Sequence, residues 1–216
     1  MANLLTAARV VLLFITIGFI YLGWAGGGPQ GEPIWLLVAT VLTFIVFIGD
    51  AIDGVVARAR GEANALGAVI DIAGDRIVEN VYWVVFAHLG LISVWFPIIQ
   101  ITRSFTVDAF RTLALAEGKT AFGETTMMES KFGTWLAASR FNRALYGSAK
   151  VVTFIWLLLQ MALTVQVARD AEWARNFGNA LSIMQTIGIV LAFFTIIYSV
   201  LRGAVVVWDS RHYLKP

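Results

Sequence analysis

The stretch GDAIDGVVARARGEANALGAVIDIAGD, residues 49–75, decides how this chain is read. It sets four acids, Asp50, Asp53, Asp71 and Asp75, on or beside apolar runs. Asp50 and Asp53 are three residues apart and Asp71 and Asp75 four, so each pair shares one face of a helix. The first pair ends one apolar helix and the second begins the next, across the short polar connection ARARGEAN. Antiparallel neighbours would bring both pairs together near one membrane surface. Four carboxylates in such a space repel one another and need cations. Oxygen-only donors suit hard ions such as Mg²⁺, Mn²⁺ or Ca²⁺. Zinc fits poorly, because the chain has no cysteine and His88 and His212 are remote in sequence.

Small residues accompany the acids. Gly67, Asp71 and Asp75 form an i, i+4, i+8 stripe, Gly54 lies one turn past Asp50, and Ala57 lies four past Asp53. A carboxylate face lined this way leaves room for a bulky group against the backbone. With Arg58 beside it, the pattern points to a phosphate-containing ligand held through metal. Helix caps or interfacial acids would explain one or two of the four. A structural ion site or an ion route in a transporter is the competing explanation.

The rest of the chain supplies the setting. Of its 216 residues, 59% are hydrophobic and 14% charged, and mean hydropathy is +0.78. Soluble domains run at about 45–50% apolar and about 25% charged, so this is an integral membrane protein of all-α class. About 20 apolar residues cross a bilayer, and six transmembrane helices are predicted: Leu5–Trp24, Ile34–Ala57, Gly67–Leu89, Val94–Leu115, Ser148–Val167 and Ala180–Val207. GGGPQGEP at 26–33 reads as a turn. The first apolar run is too long for a signal peptide and carries Arg9, so it is expected to stay as helix one. Residues 1–216 read as a single transmembrane domain without internal repeats. A net charge of +2 implies no nucleic-acid partner. Lys and Arg crowd the side shared by both termini, whereas the opposite loops hold only Arg169 and Arg175. The basic side, with the aspartates, should face the cytoplasm.

The spacing D-x-x-D-G-x-x-A-R, eight residues, then G-x-x-x-D-x-x-x-D is filled at every fixed position by Asp50, Asp53, Gly54, Ala57, Arg58, Gly67, Asp71 and Asp75. This resembles the signature of the CDP-alcohol phosphotransferase (phosphatidyltransferase) family, and the six-helix layout agrees with it. The resemblance implies transfer of a substituted phosphate from a CDP-linked donor, commonly CDP-diacylglycerol, to an alcohol, with release of CMP. It implies that Asp50, Asp53 and Asp71 ligate divalent metal, Mg²⁺ or Mn²⁺, as two ions. Asp75 would share a metal and act as general base on the acceptor hydroxyl. Asp53, Gly54, Ala57, Arg58 and Gly67 would line the CDP site. A homodimer in the cell membrane is implied as well.

The acceptor rests on other residues. NLLTAARVV is similar to the N-L-L-T-x-x-R opening of the phosphatidylglycerophosphate synthases within that family, matched here by Asn3, Thr6 and Arg9. A helix start with a snorkelling arginine would give the same spacing. ITRSFTVDAFRTLALAEGK is similar to those synthases through Arg103, Arg111, Gly118 and Lys119. Arg103 lies deep in an apolar run and needs an anionic partner, either Asp108 or Glu79 of this chain or an acceptor phosphate. Arg111 would assist, and Lys150 in YGSAK would supply a further cation or a plain positive flank. These residues favour glycerol 3-phosphate, with inositol phosphate or serine as alternative acceptors.

The chain departs from those synthases in a longer link, about residues 120–147. From Phe132, Leu136 and Arg140 recur at helical spacing beside Trp135, with Lys131 and Arg143 close by. The link would lie on the membrane surface, shape the acceptor pocket or pack over the site. Glu79 extends the acidic stripe and would orient Arg76 or Arg103, or be a satisfied interior acid. Trp83, Trp95, Trp156 and Trp173 read as lipid-facing or interfacial, and His88 as inert.

Overall fold

The computed structural model describes residues 2–59, 65–120 and 126–211; the side chains of 2–3, 50–59, 65–66 and 68 lie outside that description. Among the described residues there are six long helices and no strand. They are α1 (Ala2–Trp24), α2 (Pro33–Ala59), α3 (Ala65–His88), α4 (Trp95–Ala116), α5 (Arg140–Arg169) and α6 (Ala171–Asp209). Each predicted span falls on one of them. The windows Leu4–Gly27, Lys131–Arg169 and Ala171–Asp209 are long and apolar enough to cross a membrane, and Pro33–Gly49 is a shorter apolar stretch. α3 and α4 set apolar faces beside charged residues such as Asp75 and Arg103. The chain is an all-α, multi-pass membrane protein.

The last two helices begin well before their predicted starts. The polar run after Arg169 reads as an aqueous loop, yet Asp170 Oδ1 accepts from the Glu172 and Trp173 backbone N–H groups at 2.8 and 3.4 Å. That cap starts α6 at Ala171. With 39 residues, α6 is about 58 Å long, well beyond the ~30 Å hydrocarbon core.

The chain forms two compact units, residues 1–92 with 151–190 and residues 93–150 with 191–216. In the first, α1 packs against α2 and α3. The turn between α1 and α2 closes through Gly26 and Gly27 at φ 75° and 73°, a region where glycine escapes the Cβ penalty. Arg169 Nη1 clasps it, 2.8 Å from Glu32 Oε2 and 2.9 Å from the Gly31 carbonyl. Phe154 sits among the rings of Phe47, Tyr82, Trp83 and Phe86 at centroid distances of 5.0–5.9 Å. Trp83 is therefore not a lipid-facing residue: it is fully buried, edge-on to Phe154. Trp95 is exposed, as expected, while Trp156 donates to the Met184 carbonyl at 2.9 Å.

In the second unit, Val107, Phe110 and Ala114 of α4 pack with Met127, Met128, Ala137 and Val206. α4 ends at a left-handed Gly118 (φ 75°), where Lys119 N–H bonds back to the Ala114 carbonyl at 3.0 Å. The long link is not one continuous amphipathic helix. A helical turn at Lys131–Gly133 runs into a π-helical turn at Thr134–Ala138, and Ser139 is extended (φ −64°, ψ 147°) before α5 begins. Residues 121–125 lie outside the described part.

Candidate active site

The aspartate signature is divided between two helices. α2 carries Asp50, Asp53, Gly54, Ala57 and Arg58, whose side chains lie outside the described residues, as does residue 60–64 of the connection. The expected meeting of the two acid pairs thus falls outside the description. α3 carries Gly67, Asp71 and Asp75, all partly exposed. Among the described residues no three His, Asp or Glu side chains converge as a metal site, and Asp50 and Asp53 are not among those residues.

Asp75 has a partner from α1. Arg9 Nη2 stands 2.7 Å from Asp75 Oδ1, with the arginine side chain 4% exposed and the carboxylate 44%. Arg9 does not snorkel; it reaches inward, and the acid offsets the large cost of burying its charge. Thr6, one turn earlier, is also buried. Both press on Gly74, where a Cβ would lie 2.6 Å from Thr6 Cγ2 and 3.3 Å from Arg9 Nη2. The close approach of α1 to α3 thus depends on a glycine beside the acid it serves. Glu79, one turn further along α3, is buried with Arg76 Nη1 at 3.6 Å. It behaves as an interior acid held by its helix neighbour.

The second unit gathers cations. Arg103 Nε donates to the Ser199 carbonyl at 3.1 Å, lying over Gly203, where a Cβ would come within 2.8 Å of Arg103 Cγ. The Tyr146 ring is the centre of the group: Arg103 Cζ is 5.9 Å from its centroid, Lys150 Nζ 4.9 Å and Arg202 Cζ 5.2 Å. The ring is fixed by a triangle of hydrogen bonds. Gln100 Nε2 donates to Tyr146 Oη at 3.2 Å, Tyr146 Oη to Ser199 Oγ at 3.1 Å, and Ser199 Oγ to Gln100 Oε1 at 2.8 Å. Arg202 is 6% exposed and donates to the Leu136 and Ala137 carbonyls at 3.2 and 2.9 Å. Arg103 and Arg143 are close enough to act on it electrostatically, and among the described residues it has no carboxylate partner. For Arg202, cation–π contact and carbonyl dipoles ease the burial of the charge without cancelling it.

Arg111 is placed differently. Its Nη1 lies 3.3 Å from Asp108 Oδ1 on the same helix, the acid also considered for Arg103. Sequence reasoning missed Arg202 and Tyr146. The signal for Arg202 was present, an arginine in the apolar run YSVLRGAVVV, the same feature that singled out Arg103.

A family model described as CDP-alcohol phosphatidyltransferase matches residues 1–197. A probable phosphatidylglycerophosphate synthase of Mycobacterium tuberculosis is 25% identical over 181 residues, covering 83% of this chain and 84% of that protein. A phosphatidylinositol phosphate synthase of Mycobacteroides abscessus is 27% identical over 185 residues, covering 83% of this chain and 77% of its own. With the signature complete in the sequence and the six helices in place, this chain belongs to the CDP-alcohol phosphatidyltransferase family.

Proposed function

We propose that this protein transfers the phosphatidyl group of CDP-diacylglycerol to glycerol 3-phosphate, giving phosphatidylglycerophosphate and CMP. The acceptor hydroxyl attacks the lipid-side phosphorus, the bond to the CMP oxygen breaks, and the hydroxyl proton passes to Asp75. Arg9 holds that carboxylate in place from α1. Asp53, Gly54, Ala57, Arg58 and Gly67 receive the CDP moiety, small residues giving it access to the backbone.

Asp50, Asp53, Asp71 and Asp75 are the proposed holders of two Mg²⁺ or Mn²⁺ ions. The donor set is carboxylate oxygen throughout, and Asp71 and Asp75 stand one turn apart and partly exposed on α3, which fits hard divalent cations. Such ions, when bound, neutralise the diphosphate and the charge developing on CMP.

The observation that carries an anionic acceptor is Arg202: a buried arginine without a carboxylate among the described residues, on the same tyrosine as Arg103 and Lys150. A phosphate suits such a cluster through charge-assisted hydrogen bonds, whereas serine calls for less positive charge. Glycerol 3-phosphate is favoured by the Asn3, Thr6 and Arg9 opening and by similarity to the phosphatidylglycerophosphate synthase. Inositol phosphate is the second reading, favoured by similarity to the phosphatidylinositol phosphate synthase. Family membership speaks for a transferase and against the ion transporter. The distribution of Lys and Arg supports a cytoplasmic-facing site in the cell membrane, and the assembly is proposed as a homodimer.

The test is CMP release by purified protein with Mg²⁺ and CDP-diacylglycerol, offering glycerol 3-phosphate, inositol phosphate or serine separately. Release with glycerol 3-phosphate, abolished by chelator, is expected. Release with inositol phosphate alone transfers the assignment to the second reading, and release with serine alone overturns the role given to the cation cluster.

A further inference from the structure

The link between α4 and α5 is held to α6 by polar ties on its inner side. Asp209 Oδ2 accepts from Ser130 N–H at 3.1 Å and Ser130 Oγ at 2.8 Å. Ser130 Oγ in turn accepts from Gly133 N–H at 2.9 Å, capping the helical turn. Arg202 holds the Leu136 and Ala137 carbonyls. Tyr198 Oη donates to Asn142 Oδ1, and Asn142 Nδ2 donates to the Trp135 carbonyl at 2.7 Å. Tyr198, Arg202 and Asp209 fall at i, i+4 and i+11, one face of α6. Gly133 packs so tightly on Asp209 that any side chain there would collide with the carboxylate. Met127, Met128, Leu136 and Ala137 are buried on the same side.

The outer side is of another character. Phe132, Trp135 and Phe141 are 60%, 55% and 70% exposed, and the first two rings lie 6.0 Å apart. Lys131 and Arg140 are exposed beside them. The polar ties turn these rings outward in a defined conformation, and in water they would expose a large apolar area. Aromatic rings flanked by basic side chains match the boundary between lipid headgroups and acyl chains: the rings enter the apolar edge and the cations meet lipid phosphates. Each Lys or Arg near an anionic surface contributes about 1 kcal/mol. The chain is itself a membrane protein, so such a surface is at hand.

We infer that residues 131–141 form an interfacial anchor, seating Phe132, Trp135 and Phe141 in the headgroup–acyl boundary of an anionic leaflet with Lys131 and Arg140 on lipid phosphates. The anchor is independent of which alcohol is the acceptor.

The absence of cysteine allows single-site labelling of the full chain. A nitroxide would be attached at Phe132→Cys, Trp135→Cys or Phe141→Cys, and at Glu117→Cys, an exposed residue at the end of α4, as aqueous reference. Each protein is reconstituted in vesicles of equal parts phosphatidylcholine and phosphatidylglycerol. Collision with apolar oxygen is then compared with collision with a water-soluble nickel chelate. The three anchor labels are expected to favour oxygen several-fold over the Glu117→Cys label. They are expected to lose part of that preference in pure phosphatidylcholine, or when Lys131→Gln and Arg140→Gln are combined with Trp135→Cys. Labels as accessible to nickel as the reference overturn the anchor. So does label–label broadening in excess of the reference, which would assign the face to a second copy of the chain. Indifference to lipid charge and to the double substitution overturns the part given to Lys131 and Arg140.

Discussion

Arg9 and Arg202 are both buried arginines on long helices, 5% and 6% exposed, and they are balanced in opposite ways. Arg9, in the first unit, meets a carboxylate at 2.7 Å. Arg202, in the second, meets two backbone carbonyls and the face of Tyr146, which Arg103 and Lys150 also approach. A buried cation opposite an acid forms a locally neutral pair and orients that acid. A buried cation among neutral dipoles keeps its charge and attracts an anion. Under the proposed function the same residue type serves two ends, positioning a proton acceptor in one unit and recognising an anion in the other. Helical periodicity treats them alike, and only their partners distinguish them.

The comparison breaks most sharply at Asp75. Asp75→Asn keeps the shape and an acceptor for Arg9 but cannot take a proton, so kcat for CMP release should fall about 10²- to 10⁴-fold. Near-normal turnover would remove Asp75 as general base and leave Arg9–Asp75 a structural pair. Next is Arg202→Gln. Loss of a charge-assisted contact worth about 1.5–3 kcal/mol should raise KM for the acceptor phosphate roughly 10- to 100-fold, with KM for CDP-diacylglycerol nearly unchanged. Initial rates across both substrates separate these constants, and equal changes in both would deny Arg202 an acceptor role.

Two smaller substitutions ask whether packing maintains each arrangement. Gly74→Ala drives a methyl group into Thr6 and towards Arg9, and overpacking of this kind costs about 1–3 kcal/mol. Thermal unfolding in detergent should show the lower midpoint; an unchanged midpoint would mean that α1 yields easily. Ser130→Ala removes the cap on Gly133 and the hydroxyl contact with Asp209, a loss of about 1 kcal/mol. Faster limited proteolysis between Ser130 and Asn142 should report it, and unchanged cleavage would mean that Arg202 and Asn142 suffice to hold the link.

Much of the molecule is legible before folding. Six apolar runs are visible because each crossing of lipid needs a long run of suitable residues and a helix satisfies its own backbone hydrogen bonds. The aspartates stand out because charge in such runs is costly. Their helical spacing, set out in D-x-x-D-G-x-x-A-R and G-x-x-x-D-x-x-x-D, is local information. Less legible are facts that depend on which helix faces which. Trp83 and Trp95 look equivalent as tryptophans in apolar runs, yet one is enclosed by Phe154 and the other 64% exposed. Asp108, considered as a partner for Arg103, meets Arg111 one helical turn away. α6 starts nine residues before its predicted Ala180, because the Asp170 cap lets polar residues continue the helix.

The residues alone were enough for the membrane class, the six helices, the acid signature and the reaction family, since each of these is written in composition and short-range spacing. The tertiary structure was needed for the pairing of Arg9 with Asp75, for the three cations on Tyr146 and for the outward aromatic face of residues 131–141. Most of these contacts join residues far apart in the chain, as with Arg9 and Asp75, 66 positions apart. Whether a buried charge is neutralised or left to bind an anion depends on what packing brings beside it, and neighbouring residues in the sequence carry no record of that.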